Sequence, residues 1–344
     1  MGGNALSEPG VRLGKDVYLE LERTVLNKLK SQLDHVRWSR IPAYTSKTSY
    51  GDMDIVYSHR NPAPAVIIEA AAETIAAREI VPNGPVTSLG IQAGSGTFQI
   101  DLIQVPRQSH DFARRYFSYN DLGNLIGRVA HFAGFKFGHL GLQYVVREPG
   151  NNAHVITELD VTTDWSEALE FLGYSPAQYD TIDRRGFSSL DEVFKFASSS
   201  KYYSPEIFQL ANIGHQARTR DRKRPTYRAF LEWMSTSASR PAFSWAGKDA
   251  IRNRMLVDAK ARFPGFKTNY DTAIAQQKRM KAFKLKFNGQ LVSGWTGLSG
   301  RDLGGLMKEL KSDLQYDQLV SWVLSANTEE IKQWVENTHN RRQS

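Results

Sequence analysis

The chain has 344 residues, 41% of them hydrophobic and 23% charged, which is ordinary for a globular protein and long enough for two or three domains. It contains no cysteine, which excludes disulfides, zinc–thiolate sites and thiol nucleophiles together. The net charge of +8 is uneven: residues 216–286 hold 18 Lys/Arg against 5 Asp/Glu, a basic block that calls for a polyanionic partner.

The opening "MGGNALSEPG" lacks the apolar core of a secretory signal, and Leu6 stands where a myristoylation pattern wants Ser or Thr. No apolar run approaches the roughly 18 residues of a membrane span, so no membrane partner is expected, and the expected compartment is the reducing cytoplasm. Residues 14–36 carry apolar residues at helical spacing and predict an amphipathic helix. A polar, turn-rich stretch, "RWSRIPAYTSKTSYG", leads into the strand "DMDIVYS". "APAVIIEAAAETIAAREI" reads as a helix ended by the turn "VPNGP". "VTSLGIQ" and "TFQIDLIQV" read as strands joined by a hairpin turn at "AGSG", which lacks the following helix a phosphate loop needs. "YNDLGNLIGRVAHFAG" has an Asn/Asp start and a Gly stop and reads as a capped helix. "KFGHLGLQYVVRE" and "AHVITELDVTT" read as further strands, and beyond about residue 165 the periodicity is helical almost throughout. The expected fold class is α+β, with one domain over 1–160 and a mainly helical, basic domain over 161–344.

Within "SYGDMDIVYSH", Asp52 and Asp54 are i and i+2 on one strand and share a face. Asp101 lies in the apolar strand "FQIDLIQVP". If the two strands are neighbours, three carboxylates converge, which is unfavourable unless cations neutralise them. Mg²⁺ prefers such oxygen ligands, and two ions about 3.5–4 Å apart can hold a nucleoside triphosphate and activate an attacking hydroxyl. The eight histidines, His110, His131 and His139 among them, show no metal-binding spacing.

The order "GDMDIVYSH", helix, "SLGIQ", "FQIDLIQVP" resembles the palm of the nucleotidyltransferase superfamily, most closely that of the DNA polymerase X family. The resemblance covers about residues 40–150. It implies a polymerase β-like palm with a mixed sheet and flanking helices. Asp52, Asp54 and Asp101 would be catalytic ligands of two Mg²⁺ ions, with Mn²⁺ as a substitute. In "YFSYNDLGNLIGR" it implies that Tyr116 and Phe117 meet the sugar of the incoming nucleotide, with Asn124 near the base and Arg128 one turn further on. The family's Gly-Ser triphosphate grip is missing. Ser46, Lys47 and Ser49, with Thr48, are the residues at hand to replace it, Lys47 as a point charge on phosphate oxygens.

"RTRDRKRPTYR" is the densest basic run, and Arg218, Arg220, Arg222, Lys223, Arg224 and Arg228 are its candidate phosphate contacts. Tyr227, Phe230 and Trp233 follow at helical spacing, either as a stacking surface or as a helix core face. Residues 287–314, with Gly297, Gly300, Leu303 and Gly304, resemble the tail of tRNA nucleotidyltransferases and bacterial poly(A) polymerases. The two resemblances together imply addition of nucleotides to a nucleic-acid 3′ end, RNA rather than DNA and without a template. Template-directed DNA gap filling is the second enzyme reading. A catalytically lapsed nucleic-acid-binding protein on the same scaffold is the reading from another class, motivated by the missing Gly-Ser.

Overall fold

Polar–apolar alternation in "DMDI" and "FQIDL", continued by apolar runs, builds the centre of the molecule, because residues two apart on a strand face the same way. In a computed structural model that describes residues 4–60, 63–148, 151–237, 242–312 and 315–342, β1 (Leu13–Gly14) leads into α1 (Lys15–Gln32). β2 (Arg37–Arg40), β3 (Ser49–Tyr50), β4 (Asp52–Ser58), α2 (Pro64–Thr74), β5 (Glu79–Asn83), β6 (Val86–Ala93) and β7 (Gly96–Gln104) follow. Five of these strands form a mixed sheet in the order β2-β4-β7-β6-β5, with β4 and β7 parallel and the other neighbours antiparallel. Met53, Ile55, Ile100 and Leu102 are fully buried in one core cluster with residues of α1 and α2. Each such side chain contributes about 1.5–3 kcal/mol on burial. Val56 and Ile103, on the opposite face, belong to a smaller cluster with Ala113.

Two local readings of the sequence are corrected. The helix predicted up to the turn at "VPNGP" stops at Thr74, and Glu79–Asn83 is instead a strand paired with β6. Ala76 takes a left-handed φ of 55°, which breaks the helix. Pro82 is tolerated because β5 is an edge strand. Likewise "RWSR", read as loop, is the edge strand β2, with Trp38 buried and its ring 5.3 Å from that of Tyr57. The turn at "AGSG" is as expected: Ala93 pairs with Gly96, and Gly94 supplies a φ of 58°.

Beyond the sheet come α3 (His110–Phe117), α4 (Leu122–Phe132) and a three-stranded antiparallel sheet of β8 (Phe135–Gly138), β9 (Gly141–Glu148) and β10 (Asn151–Thr162). The helices α5 (Trp165–Phe171), α6 (Pro176–Arg185), α7 (Leu190–Ala197), α8 (His215–Arg222), α9 (Pro225–Thr236) and α10 (Lys248–Arg262) belong to the same compact unit, Met1–Phe266. The expected boundary near residue 160 therefore falls inside this unit. Aromatic packing explains why: Trp165 lies against Phe112 and Phe137, and Phe171 against Phe135, at ring distances of 5.0–5.4 Å.

The second unit, Lys267–Ser344, is helical: α11 (Pro264–Lys286) runs into it, followed by α12 (Gly289–Thr296), α13 (Gly300–Ser312), α14 (Tyr316–Ser325) and α15 (Thr328–Arg341). Phe283, Phe287, Val292, Leu306, Leu319 and Ile331 are among the residues of its own core. Asn288 caps α12, accepting from the Leu291 N–H, and Gly297 ends it in the left-handed region. Asp313 and Leu314, the end of the 287–314 stretch, lie outside the described residues. Among the described residues, no helix is long and apolar enough to cross a membrane.

Candidate functional site

Asp52 and Asp54 are the first and third residues of β4, so they project from the face that Met53 and Ile55 leave when they enter the core. The parallel pairing sets Asp101 level with Asp54 on the neighbouring strand. One carboxylate oxygen from each of the three lies within 4.8 Å of the other two. All three side chains are partly buried. Among the described residues, no Lys or Arg forms an ion pair with any of them.

That arrangement is electrostatically costly by itself. Burial pushes the Asp54 carboxyl up to about 7, with repulsion from Asp52 and then Asp101 adding to it and Lys47 opposing. Asp101 is raised as well, mainly by burial, while hydrogen bonds from Ser88 and Gln99 pull it down. Ser88 Oγ donates to Asp101 Oδ1 at 2.6 Å, and Gln99 Nε2 donates to both carboxylate oxygens at 2.9 Å. Gln99 is itself fixed, its Oε1 accepting from the Ala5 N–H at 2.9 Å. These partners orient one acid without neutralising it. A hard divalent cation supplies the missing charge and accepts carboxylate oxygens, so the triad fits and could hold a metal ion.

The acids Asp52 and Asp54 line a cavity of about 580 Å³ that also takes in Lys47, Tyr116, Phe117 and Asn124. Lys47 extends over the Tyr50 ring at 4.6 Å, and that ring stacks on Tyr18 at 3.8 Å. Burial lowers the Lys47 pKa, and attraction to Asp52 and Asp54 works against that. Tyr116 reaches the cavity because Gly123 lets α4 approach the end of α3: a Cβ there would stand 2.2 Å from the Tyr116 carbonyl oxygen. A larger adjoining cavity, about 1180 Å³, shares Tyr116, Asn124 and His139 with the first.

Of the other expected residues, Arg224 alone is gathered there. The Ser46 N–H donates to the Ser188 carbonyl at 2.9 Å, and Ser49 Oγ accepts from Arg12 Nε at 3.0 Å. Arg128 lines the adjoining cavity and is only 5% exposed, paired with the fully buried Asp221. In the basic run, Arg218 donates to the Ile213 carbonyl, and Arg220 donates to Asp221 and to Asn124 Oδ1. Arg224 pairs with Asp121 at 2.5 Å and lines the same cavity as the acids. Arg222, Lys223 and Arg228 are exposed. Tyr227 and Phe230 are fully buried and so form a helix core face. His110 is buried between Ser39 and Ser58, and His139 stacks on Phe117.

Ser88, Gln99 and Asp121 are the residues sequence reasoning missed. Gln99 carried a usable signal, two residues before Asp101 on the same strand face. Ser88 needs the β6–β7 register, and Asp121 looks like a routine helix cap. Compared with models of protein families and with curated proteins, the sequence matches none.

Proposed function

We propose that the protein is a metal-dependent nucleotidyltransferase with a polymerase β-like palm, adding nucleotides from nucleoside triphosphates to a nucleic-acid 3′ end, RNA rather than DNA and without a template. The observation that carries this reading is the meeting of Asp52, Asp54 and Asp101 across one parallel strand pair, where two of them line a cavity with Lys47, Tyr116 and Asn124.

In this reading Asp52 and Asp54 would hold both of two Mg²⁺ ions, or Mn²⁺ in their place, and Asp101 would hold one of them. Such ions would supply Lewis-acid activation of the 3′-hydroxyl and positive charge for the reacting phosphates. Lys47 attracts phosphate oxygens, Tyr116 and Phe117 meet the sugar, and Asn124 lies near the base. Ser88 and Gln99 keep Asp101 turned toward its companions. Positioning and charge neutralisation then account for most of the rate enhancement. The exposed Arg222, Lys223 and Arg228 contact the phosphates of the chain being extended.

One observation favours a second reading, a catalytically lapsed nucleic-acid binder. No Gly-Ser precedes Asp52, and the Ser46 amide that would take its part is spent on Ser188. Offering each of the eight common nucleotides to RNA and DNA primers, with and without template, separates the readings. The expected result is Mg²⁺- or Mn²⁺-dependent incorporation on RNA, abolished by Asp54→Ala with nucleic-acid binding retained. Salt-sensitive binding without incorporation of any nucleotide would overturn it.

A further inference from the structure

We infer that Arg224 is a phosphate grip of the substrate cavity, held in readiness by Asp121, rather than part of the surface that carries nucleic acid. The inference rests on the nucleotidyltransferase reading and deepens it: Arg224 would take the non-transferred phosphates of the triphosphate, the part for which the sequence offers no Gly-Ser.

Position is the first support. Of the six basic residues singled out in the run 218–228, Arg224 alone lines the cavity of Asp52 and Asp54, together with its neighbours Pro225 and Thr226. Lys47 lines it too, so the cavity combines three acids, Asp52, Asp54 and the Arg224 partner Asp121, with two cations that attract anions. A metal–polyphosphate complex carries both kinds of charge. A guanidinium also offers a planar fork suited to phosphate oxygens, which an ammonium does not.

The backbone around Asp121 is the second support. Tyr119 and Asn120 both take left-handed φ values, 59° and 63°, although neither is glycine. Asparagine tolerates this region, but a tyrosine is strained there and persists only where its surroundings enforce it. They do so here: the Tyr119 N–H donates to the Pro42 carbonyl at 2.8 Å, and its hydroxyl donates to Asp183 Oδ1 at 2.6 Å. Asp121 then occupies the N-cap of α4, where an aspartate ordinarily accepts from the helix amides, yet its side chain makes no capping bond. It meets Arg224 Nη1 instead, and Asn120 Nδ2 reaches Thr226 Oγ1 at 3.5 Å. The strained turn thus gives up a cap and uses its acid to hold one arginine beside the cavity. Arg224 remains about a third exposed, so the pair leaves donors facing the open space.

The probe is inorganic tripolyphosphate with Mg²⁺, titrated calorimetrically into the full chain. Arg224→Ala should weaken its binding about 10- to 100-fold, the range for losing hydrogen bonds to a charged group. Arg224→Lys should lose less, and Asp121→Asn, which frees the guanidinium, should bind at least as tightly as wild type. A parallel titration with single-stranded RNA distinguishes the two sources of phosphate: Arg224→Ala should leave it within about two-fold, for a residue outside the phosphate-tracking surface. Wild-type tripolyphosphate affinity in a folded Arg224→Ala protein overturns the inference. So does a loss confined to the RNA titration. Incorporation activity reports separately on the underlying reading: tripolyphosphate binding lost in Arg224→Ala, with no incorporation by wild type, keeps the grip and discards the transferase. Incorporation with an unchanged nucleotide KM in Arg224→Ala does the reverse.

Discussion

Five aspartates of the first unit, all at least partly buried, fall into two groups. Asp121 and Asp221 have arginines against them: Arg224 for the first, Arg128 and Arg220 for the second. Asp52, Asp54 and Asp101 have one another, with Lys47 close enough to act on Asp52 and Asp54 but not to pair. The compensated acids join α4 to the basic helices and are structural at Asp221. Of the uncompensated ones, Asp52 and Asp54 line a cavity, which the paired Asp121 also reaches. A buried acid without a counter-charge is a candidate binding position, whereas Asp221, with two arginines in place and fully buried, reads as architecture.

The contrast breaks most visibly by mutation of each group. Asp54→Ala should lower nucleotide incorporation by about 10³-fold or more, while the melting temperature holds or rises because repulsion is relieved. Asp221→Ala should do the opposite kind of damage. It strands Arg128 in the interior and should destabilise the first unit by about 3–5 kcal/mol, read as a drop in the denaturant midpoint. If both variants lose stability equally, the distinction fails.

His110 sharpens the comparison as a buried group kept neutral. Burial holds its pKa down at about 4, against about 6.5 for a free imidazole. The unfolded chain therefore binds a proton that the folded one refuses. Its contribution is fully present above pH 6.5 and is lost as pH falls toward 4, by up to about 3 kcal/mol. Denaturant unfolding between pH 4 and 7 should show that slope, and His110→Gln should flatten it. A smaller effect is expected at Gln99→Ala, which frees Asp101 to turn away. Divalent-cation affinity should fall about 10-fold with little loss of stability, measured by titration of the metal.

How much of this was legible in the sequence follows from how far each signal reaches. Asp52 and Asp54 were visible because strand alternation is a period-two pattern, and Asp101 because an acid among Ile and Leu is conspicuous. The end of α2 at Thr74 was hidden by an alanine-rich run that suits a helix, and β2 by polar residues on an edge. Arg128 looked free for the nucleotide and Arg224 for nucleic-acid phosphates because their acids lie 93 and 103 residues away, a pairing no local pattern encodes. That residue 160 falls inside one compact unit was hidden in the same way, since Trp165 and Phe171 pack on Phe112 and Phe135 through aromatic contacts that composition does not show.

The most direct measurement is calorimetric titration of Mn²⁺ into the wild-type chain and into Asp54→Asn, which keeps the shape of the side chain and removes its charge. Saturable binding by the wild type that the variant loses is the outcome expected of three acids awaiting a cation. Indistinguishable titrations, or no binding by either protein, would contradict it.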